Sequence, residues 1–215
     1  FYLVYKSQEV RAQVFFCLFV ILNIYYFLEV LKNKNFFNIY FYIFFGLISL
    51  LTMNFSIIVI FSQFIFLLFK KKYFLNFFAY MSIMILLFIF FNFAHIEKQF
   101  FLISNPNFNI VAIESLNFVG FYDLFFRYYF GSRLSGIIVL IFLVYLISRE
   151  IYEKRIKIDE NILFLIILSF FSYLIPTLFS IFVSPILLAR YIIYVVPIII
   201  IIISALSINK KKISF

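Results

Sequence analysis

This chain is dominated by six long runs of apolar residues, which are separated by charged or polar residues. The runs cover residues 12–31, 36–69, 73–93, 134–148, 162–183 and 191–208. A helix that crosses the roughly 30 Å hydrocarbon core of a bilayer needs about 20 such residues. The pattern therefore predicts an all-α fold, namely a polytopic bundle of transmembrane helices.

The run 36–69 is too long for one span, because it would form a helix of about 51 Å at 1.5 Å per residue. Three polar residues, Thr52, Asn54 and Ser56, lie near its middle. We expect the run to break there into two short helices that enter the membrane and return as a broken hairpin. The predicted bundle then contains about six to seven membrane helices in a single transmembrane domain, 1–215.

The composition excludes several other classes of protein. Hydrophobic residues make up 67% of the chain and charged residues 13%, whereas soluble domains are about half apolar and a quarter charged. A cytosolic enzyme, a nucleic-acid-binding module and a disordered tail are therefore excluded. We assign the net charge of +9 to cytoplasmic loops, which are rich in Lys and Arg, and expect membrane lipids rather than nucleic acid as partners.

The distribution of Lys and Arg tests the predicted spans. With the amino terminus outside, twelve basic residues fall in cytoplasmic loops and six on the outer side. The cytoplasmic set is Lys32, Lys34, Lys70, Lys71, Lys72, Arg149, Lys154, Arg155, Lys157, Lys210, Lys211 and Lys212, and the outer set is Lys6, Arg11, Lys98, Arg127, Arg133 and Arg190. This agrees with the positive-inside rule and predicts a multi-pass integral membrane protein. If residues 36–69 formed a single span, every later loop would lie on the opposite side of the membrane.

Residues 94–133 form the one long extramembrane segment, which we expect to be an external loop. Within it, Asp123 and Arg127 are spaced to pair on a short interfacial helix over 121–130. His95 and Glu97 stand near its start, but two potential ligands are too few to predict a metal site.

The first polar cluster on the predicted outer face is residues 7–11, SQEVR, just before the first span. On a helix, Glu9 and Arg11 would not face each other, but at a frayed helix start both could point into one polar cavity. An interfacial anchor with an Arg that extends towards water is the structural alternative.

The second cluster lies at residues 184–191, between the last two spans, and ends in Arg190 and Tyr191. Arg190 is the only charged residue between Glu160 and Lys210. Its planar guanidinium can hold two phosphate oxygens at once, so an anionic headgroup or phosphate is the ligand that fits it. The alternative is again an anchor at the membrane surface.

These two clusters also carry a resemblance to a known family. SQEVRA at 7–12 resembles the SQEaR(a/m)Y segment of that family. The run from Ser184 through ARY at 189–191 to Pro197 resembles its P...RYxxxxxP element. The family is the bacterial dolichyl-phosphate-mannose protein mannosyltransferase-like membrane glycosyltransferases (GT-C superfamily, glycosyltransferase family 39 type).

Two further segments follow the order of that family. GLISLLT at 46–52 is similar to its GLLT helix break, and FLISNP at 101–106 to its external FWI..P stretch. Gln13 stands where the family often has Tyr, and Phe101 where it often has Trp.

The resemblance implies an inverting GT-C hexosyl- or pentosyltransferase of the cell envelope, in the bacterial inner membrane. It would move a sugar from a polyisoprenyl-phosphate donor to a lipid, protein or polysaccharide acceptor on the outer face. The substrate-binding residues implied are Gln8, Glu9, Arg11, Arg190 and Tyr191. A divalent cation is the one cofactor left open.

In that family an Asp of the first external loop is the catalytic base, and that loop would precede Phe1. We therefore expect this chain to be the carboxy-terminal part of the enzyme, without a catalytic residue and inactive alone.

Other hypotheses about the function remain. A transporter or flippase for lipid-linked oligosaccharides, a polysaccharide polymerase or ligase, and a noncatalytic membrane fragment all fit a polytopic chain. Transporters often have paired broken helices with polar groups at mid-membrane, and the break near 52–56 has no partner of that kind in the sequence, which favours the glycosyltransferase. Coding DNA upstream of Phe1 for a span and an acidic external loop would discriminate among them.

Overall fold

A computed structural model describes residues 2–104, 133–152, 160–182 and 194–208. Within these ranges the secondary structure is helical and no strand occurs, so the prediction of an all-α fold is confirmed. The helices are α1 (Tyr2–Lys32), α2 (Phe36–Thr52), α3 (Ser56–Phe69), α4 (Lys71–Ser104), α5 (Arg133–Tyr152), α6 (Glu160–Phe182) and α7 (Val195–Ile208).

Three of the described helices are long and apolar enough to cross a membrane. The crossing stretches are Gln13–Lys32 in α1, Phe74–Phe93 in α4 and Glu160–Phe179 in α6. Helices α2 and α3 are apolar but shorter, at roughly 26 Å and 21 Å. The apolar parts of α5 and α7 are also short, so a count of six to seven membrane helices stays a prediction.

The exposed faces of these helices are apolar. Leu75 is 79% exposed, Phe90 is 77% exposed, and many further Phe, Leu and Ile side chains lie on the surface. A soluble monomer rarely exposes apolar patches of such extent, whereas lipid tails solvate these side chains as well as a protein interior does. An apolar exterior together with three spans is typical of a membrane protein.

The predicted break in 36–69 is confirmed. Helix α2 ends at Thr52 and α3 begins at Ser56. Met53 is extended, with φ −154° and ψ 125°, and the backbone N–H of Ser56 donates to the carbonyl of Met53 at 3.0 Å. The first N–H groups of α3 are thus bonded within the turn, which satisfies a helix end in a region poor in water.

Successive helices of the unit Phe1–Ser115 run in opposite directions. Between α1 and α2, Phe19 stacks on Phe45 at 6.4 Å and Tyr26 on Phe41 at 5.1 Å. A residue later in α1 therefore meets one earlier in α2. The single residue Lys70 connects α3 to α4, whose side chains pack together. The α1–α2 and α3–α4 connections consequently lie at one end of the unit, as the predicted hairpin requires.

The unit Leu116–Phe215 contains α5, α6 and α7, and α7 contacts both of the other helices. Its buried side chains include Phe164 and Leu168 of α6 and Ile198 of α7. Pro176 stands inside α6. A proline there leaves the carbonyl four residues earlier, that of Ser172, without its helical N–H partner.

Two helices extend beyond the predicted spans. Helix α1 begins at Tyr2 rather than near residue 12, and α4 continues through Ser104 rather than ending near residue 93. Residues 94–104, predicted as the start of the external loop, are therefore helical. The interfacial helix expected over 121–130 lies outside the described residues.

Candidate functional site

The predicted substrate-binding residues fall into two groups. Gln8, Glu9 and Arg11 lie in helix α1, and their role as substrate contacts stays a prediction. Arg190 and Tyr191 lie outside the described residues.

A different set of polar side chains meets inside the first unit. The Tyr42 hydroxyl donates to Gln63 Oε1 at 2.9 Å, and Gln63 Nε2 donates to Asn23 Oδ1 at 2.7 Å. Asn23 Nδ2 then donates to the backbone carbonyl of Tyr42 at 3.0 Å. The three residues come from α1, α2 and α3 and form a closed ring of hydrogen bonds, which we call the polar cycle.

The polar cycle is sealed from its surroundings. Asn23 is 1% exposed, and Tyr42 and Gln63 are fully buried. Phe77 of α4 packs edge-on to Tyr42 with ring centroids 5.7 Å apart, and Phe27 lies 5.9 Å from the same ring. In such an apolar enclosure an unpaired amide would be costly, whereas a paired one is stabilised.

Gly46 makes room for the polar cycle. It lies one turn after Tyr42 in α2, and a Cβ atom at its position would stand 2.8 Å from Asn23 Nδ2 and would clash with Met84 Sδ. The missing side chain therefore lets Asn23 reach the Tyr42 carbonyl and lets α4 approach α2. Small residues serve this purpose at many membrane helix interfaces. The resemblance placed Gly46 at a helix break, but it lies within α2, and the break follows at 53–55.

The depth of the polar cycle sets it apart from the other polar groups of the first unit. Asn23 lies near the middle of the span Gln13–Lys32, and Gln63 lies near the middle of α3. By contrast, Glu29 lies one turn from the end of α1 and pairs with Lys32 at 2.8 Å. Glu29 is thus a paired, partly exposed charge near the end of the span.

The second unit has a smaller polar contact. The Ser172 hydroxyl donates to the carbonyl of Leu168 at 2.7 Å and lies 2.9 Å from the Tyr194 hydroxyl. Because the one hydroxyl proton of Ser172 is used by Leu168, Tyr194 is the donor to Ser172. Both side chains are buried. This bond ties the residue that precedes α7 to the middle of α6.

A groove of about 180 Å³ lies on the first unit between α3 and α4. Its lining is apolar except for one hydroxyl, and consists of Ile57, Ile60, Phe61, Phe64, Phe78, Met81, Ser82 and Ile85. Side chains of this kind suit a hydrocarbon chain and offer no contact for a charged group.

The chemistry available in the polar cycle is limited. Amides and a phenol can donate and accept hydrogen bonds, but they bring no charge and no ready nucleophile to the site. In the part of the chain that the structure describes, no three His, Cys, Asp or Glu residues come together to hold a metal ion. The polar cycle is therefore suited to recognition or to packing rather than to bond cleavage.

The sequence motifs did not single out Asn23 and Gln63. A signal was present, because an amide in the middle of an apolar run is costly in lipid unless it finds a partner. Tyr42 carried no signal of its own, since the chain contains 16 Tyr and 37 Phe residues.

Comparison with known proteins adds no relative: no protein family, no curated protein and no solved structure matches this chain. The family resemblance is carried by the quoted motifs alone.

Proposed function

We propose that this chain belongs to a membrane glycosyltransferase that moves a sugar from a polyisoprenyl-phosphate donor to an acceptor on the outer face of the bacterial inner membrane. The motifs at 7–12 and 184–197, with 46–52 and 101–106 between them, support this function by their order. The acceptor would be a lipid, a protein hydroxyl or a polysaccharide.

One observation carries the proposal: the two ends of the first unit differ in charge. Because successive helices alternate in direction, Lys32, Lys34 and Lys70 lie at one end, and the amino-terminal part of α1 points to the other. The positive-inside rule assigns the lysine end to the cytoplasm. Residues 7–11 then belong to the outer end, where a lipid-linked sugar would be met.

The proposed chemistry follows from the charge that develops on the leaving group. As the glycosidic bond breaks, the lipid phosphate gains negative charge, so a fixed guanidinium stabilises the transition state more than the ground state. Arg190 and Arg11 are assigned this role. Glu9 and Gln8 would contact the acceptor or the sugar, with Tyr191 beside the lipid phosphate. No residue of this chain is assigned as the catalytic base.

The groove between α3 and α4 supports a lipid-linked substrate. It begins beside the 53–55 turn, at the proposed outer end, and its lining is apolar. An isoprenyl chain entering there would replace acyl chains at little cost, because both are hydrocarbons.

Binding of a polyisoprenyl phosphate to the 215-residue chain in lipid nanodiscs tests the proposal without requiring catalysis. We expect saturable binding that the corresponding polyisoprenol does not match. Arg190→Ala and Arg11→Ala should each weaken it by about tenfold or more, because a charge-assisted contact is worth about 1.5–3 kcal/mol. Arg133→Ala is the matched control, since Arg133 is another predicted outer arginine outside the motifs. Equal affinity in all four proteins would contradict the assigned phosphate site.

A transporter or flippase for lipid-linked oligosaccharides is the second candidate, and the polar cycle is the observation that favours it. Transporters place polar side chains at mid-membrane, and the sequence had indicated no such group beyond 52–56. Translocation of a fluorescent lipid-linked sugar across vesicles that contain the chain would support this candidate. Sugar transfer to an acceptor, with no translocation, would exclude it.

A further inference from the structure

Three helices of the first unit are joined by side chains that belong to none of the proposed substrate contacts. Asn23, Tyr42 and Gln63 are separated by 19, 21 and 40 residues along the chain. Each of them takes part in two of the three hydrogen bonds, once as donor and once as acceptor. The polar cycle is thus shared equally among α1, α2 and α3.

We propose that the polar cycle is a register lock: it selects one axial and rotational arrangement of α1, α2 and α3 among those that lipid would otherwise permit. This inference concerns the assembly of the helices and holds whether or not the chain acts on a lipid-linked sugar.

The geometry makes the lock specific. If any one helix slides by a turn, about 5.4 Å, or rotates by one residue, about 100°, it loses both of its bonds in the polar cycle. The loss strands a buried amide or phenol, because the enclosure holds Tyr42 and Gln63 fully buried. Leaving a buried polar group without its partner destabilises the fold by more than forming the hydrogen bond stabilises it.

The aromatic contacts between α1 and α2 are poor at defining register. Phe45 stacks on both Phe19 and Tyr26 of α1, at 6.4 Å and 5.6 Å, and similar rings recur one turn away on either helix. In lipid, apolar burial gives no net drive that favours one register over another. A buried polar residue is the best-attested means of fixing register in helical assemblies.

Other buried polar side chains of α2 and α3 do not serve this purpose. Ser49 donates to the carbonyl of Gly46 at 2.8 Å, and Ser62 donates to that of Ile58 at 2.7 Å. Both bonds stay within one helix and survive any sliding. Ser62 therefore supplies a matched control, since it is buried beside Gln63 and its removal leaves the polar cycle intact.

The first test is a double-mutant cycle between Asn23 and Gln63, using Asn23→Ala, Gln63→Ala and both together, in the full chain in bicelles. Each single variant should raise the unfolding equilibrium constant by roughly threefold to twentyfold, the range of hydrogen bonds between membrane helices. The increase in the unfolding equilibrium constant of the double variant should be at least threefold smaller than the product of the increases in the two single variants. The lock would be overturned if the free-energy changes of the two single variants added strictly in the double variant. It would also be overturned if each single variant were no less stable than Ser62→Ala.

The second test measures register itself. Spin labels at Val14 and Ile57, which are 58% and 55% exposed, report the distance between the same ends of α1 and α3, with Cys17→Ala as background. The chain should give one narrow distance, as should Ser62→Ala. The apolar triple variant Asn23→Leu, Tyr42→Phe, Gln63→Met should stay helical but give a broad or second distance, shifted by about one helical turn.

The outcomes separate the lock from simple stabilisation. A triple variant that keeps the single narrow distance overturns the proposal, even if its stability changes. If the triple variant does not fold, the same distance measurement on Tyr42→Phe tests the proposal. That change removes one oxygen atom and with it the bond from Tyr42 to Gln63. There too a broadened distance supports the lock, and an unchanged one overturns it.

Discussion

The two units of this chain bury polar side chains in different ways. In the first, Asn23, Tyr42 and Gln63 close a ring of bonds across three helices. In the second, Ser172 and Tyr194 make a single contact at 2.9 Å between α6 and the residue before α7. Both contacts are buried, and in the first each residue takes part in two bonds of the ring.

The difference is one of side-chain chemistry. A short hydroxyl can bond to the carbonyl four residues back in its own helix, and Ser172 does so with Leu168. Its tertiary contact is therefore an addition to a group already satisfied. The amides of Asn23 and Gln63 bond outside their own helices, so their burial depends on correct packing. Amides in lipid thus specify the fold more strongly than hydroxyls do.

The largest effect is expected at Gly46, where an added side chain would clash with its neighbours. Gly46→Val should destabilise the chain by about 3 kcal/mol, because the new side chain would displace both Asn23 and Met84. Unfolding in bicelles measures it. Ala79→Val, at an exposed site of α4, introduces the same β-branched residue without the clash and should stay near wild type. Equal stability of the two variants would mean that α2 tolerates displacement.

Tyr42→Phe tests the polar cycle with less disturbance. It removes one hydroxyl and leaves Gln63 Oε1 buried without its donor, so we expect a loss of about 1.5 kcal/mol. The same unfolding measurement applies. Tyr40→Phe, on an exposed position of α2, is the control. A loss no larger than that of the control would show that the hydroxyl bond contributes little.

Tyr194→Phe is the counterpart in the second unit, and we expect a smaller loss, about 0.6 kcal/mol. The Ser172 hydroxyl keeps its bond to Leu168 in this variant and is therefore not stranded. If Tyr194→Phe cost as much as Tyr42→Phe, the contrast between the two units would fail.

The smallest effect belongs to bonds within one helix. The Thr177 hydroxyl donates to the carbonyl of Tyr173 at 2.7 Å. Thr177→Val keeps the shape and should change the free energy of unfolding by less than about 0.5 kcal/mol. A larger loss would indicate that the hydroxyls near Pro176 support α6, and it would make the second unit resemble the first in its dependence on polar side chains.

The sequence predicted the break of α2 from α3 well, and for a local reason. A helix over the whole run 36–69 would exceed the membrane thickness, and the polar residues Thr52, Asn54 and Ser56 lie near its middle. The structure bends at 53–55. Helix length and turn chemistry are set by residues close in sequence, which is why this feature could be predicted.

The extent of α1 and α4 was predicted less well. Charges at residues 6–11 and 95–98 suggested that the helices end there, yet both continue in helical geometry. Hydropathy reports where lipid ends, and a helix can continue into water without a change in its hydrogen bonds. Apolar runs therefore locate spans and not helix ends.

The sequence by itself determined that the described residues are helical and that their exposed faces are apolar, because these features follow from composition and from the length of the apolar runs. Only the tertiary structure decided which polar residues meet. Asn23 and Gln63 are 40 residues apart, and their contact depends on the directions and rotations of three helices together. The physical reason is that a hydrogen bond in lipid is short and directional, so its partner is chosen by packing and not by neighbours in the chain.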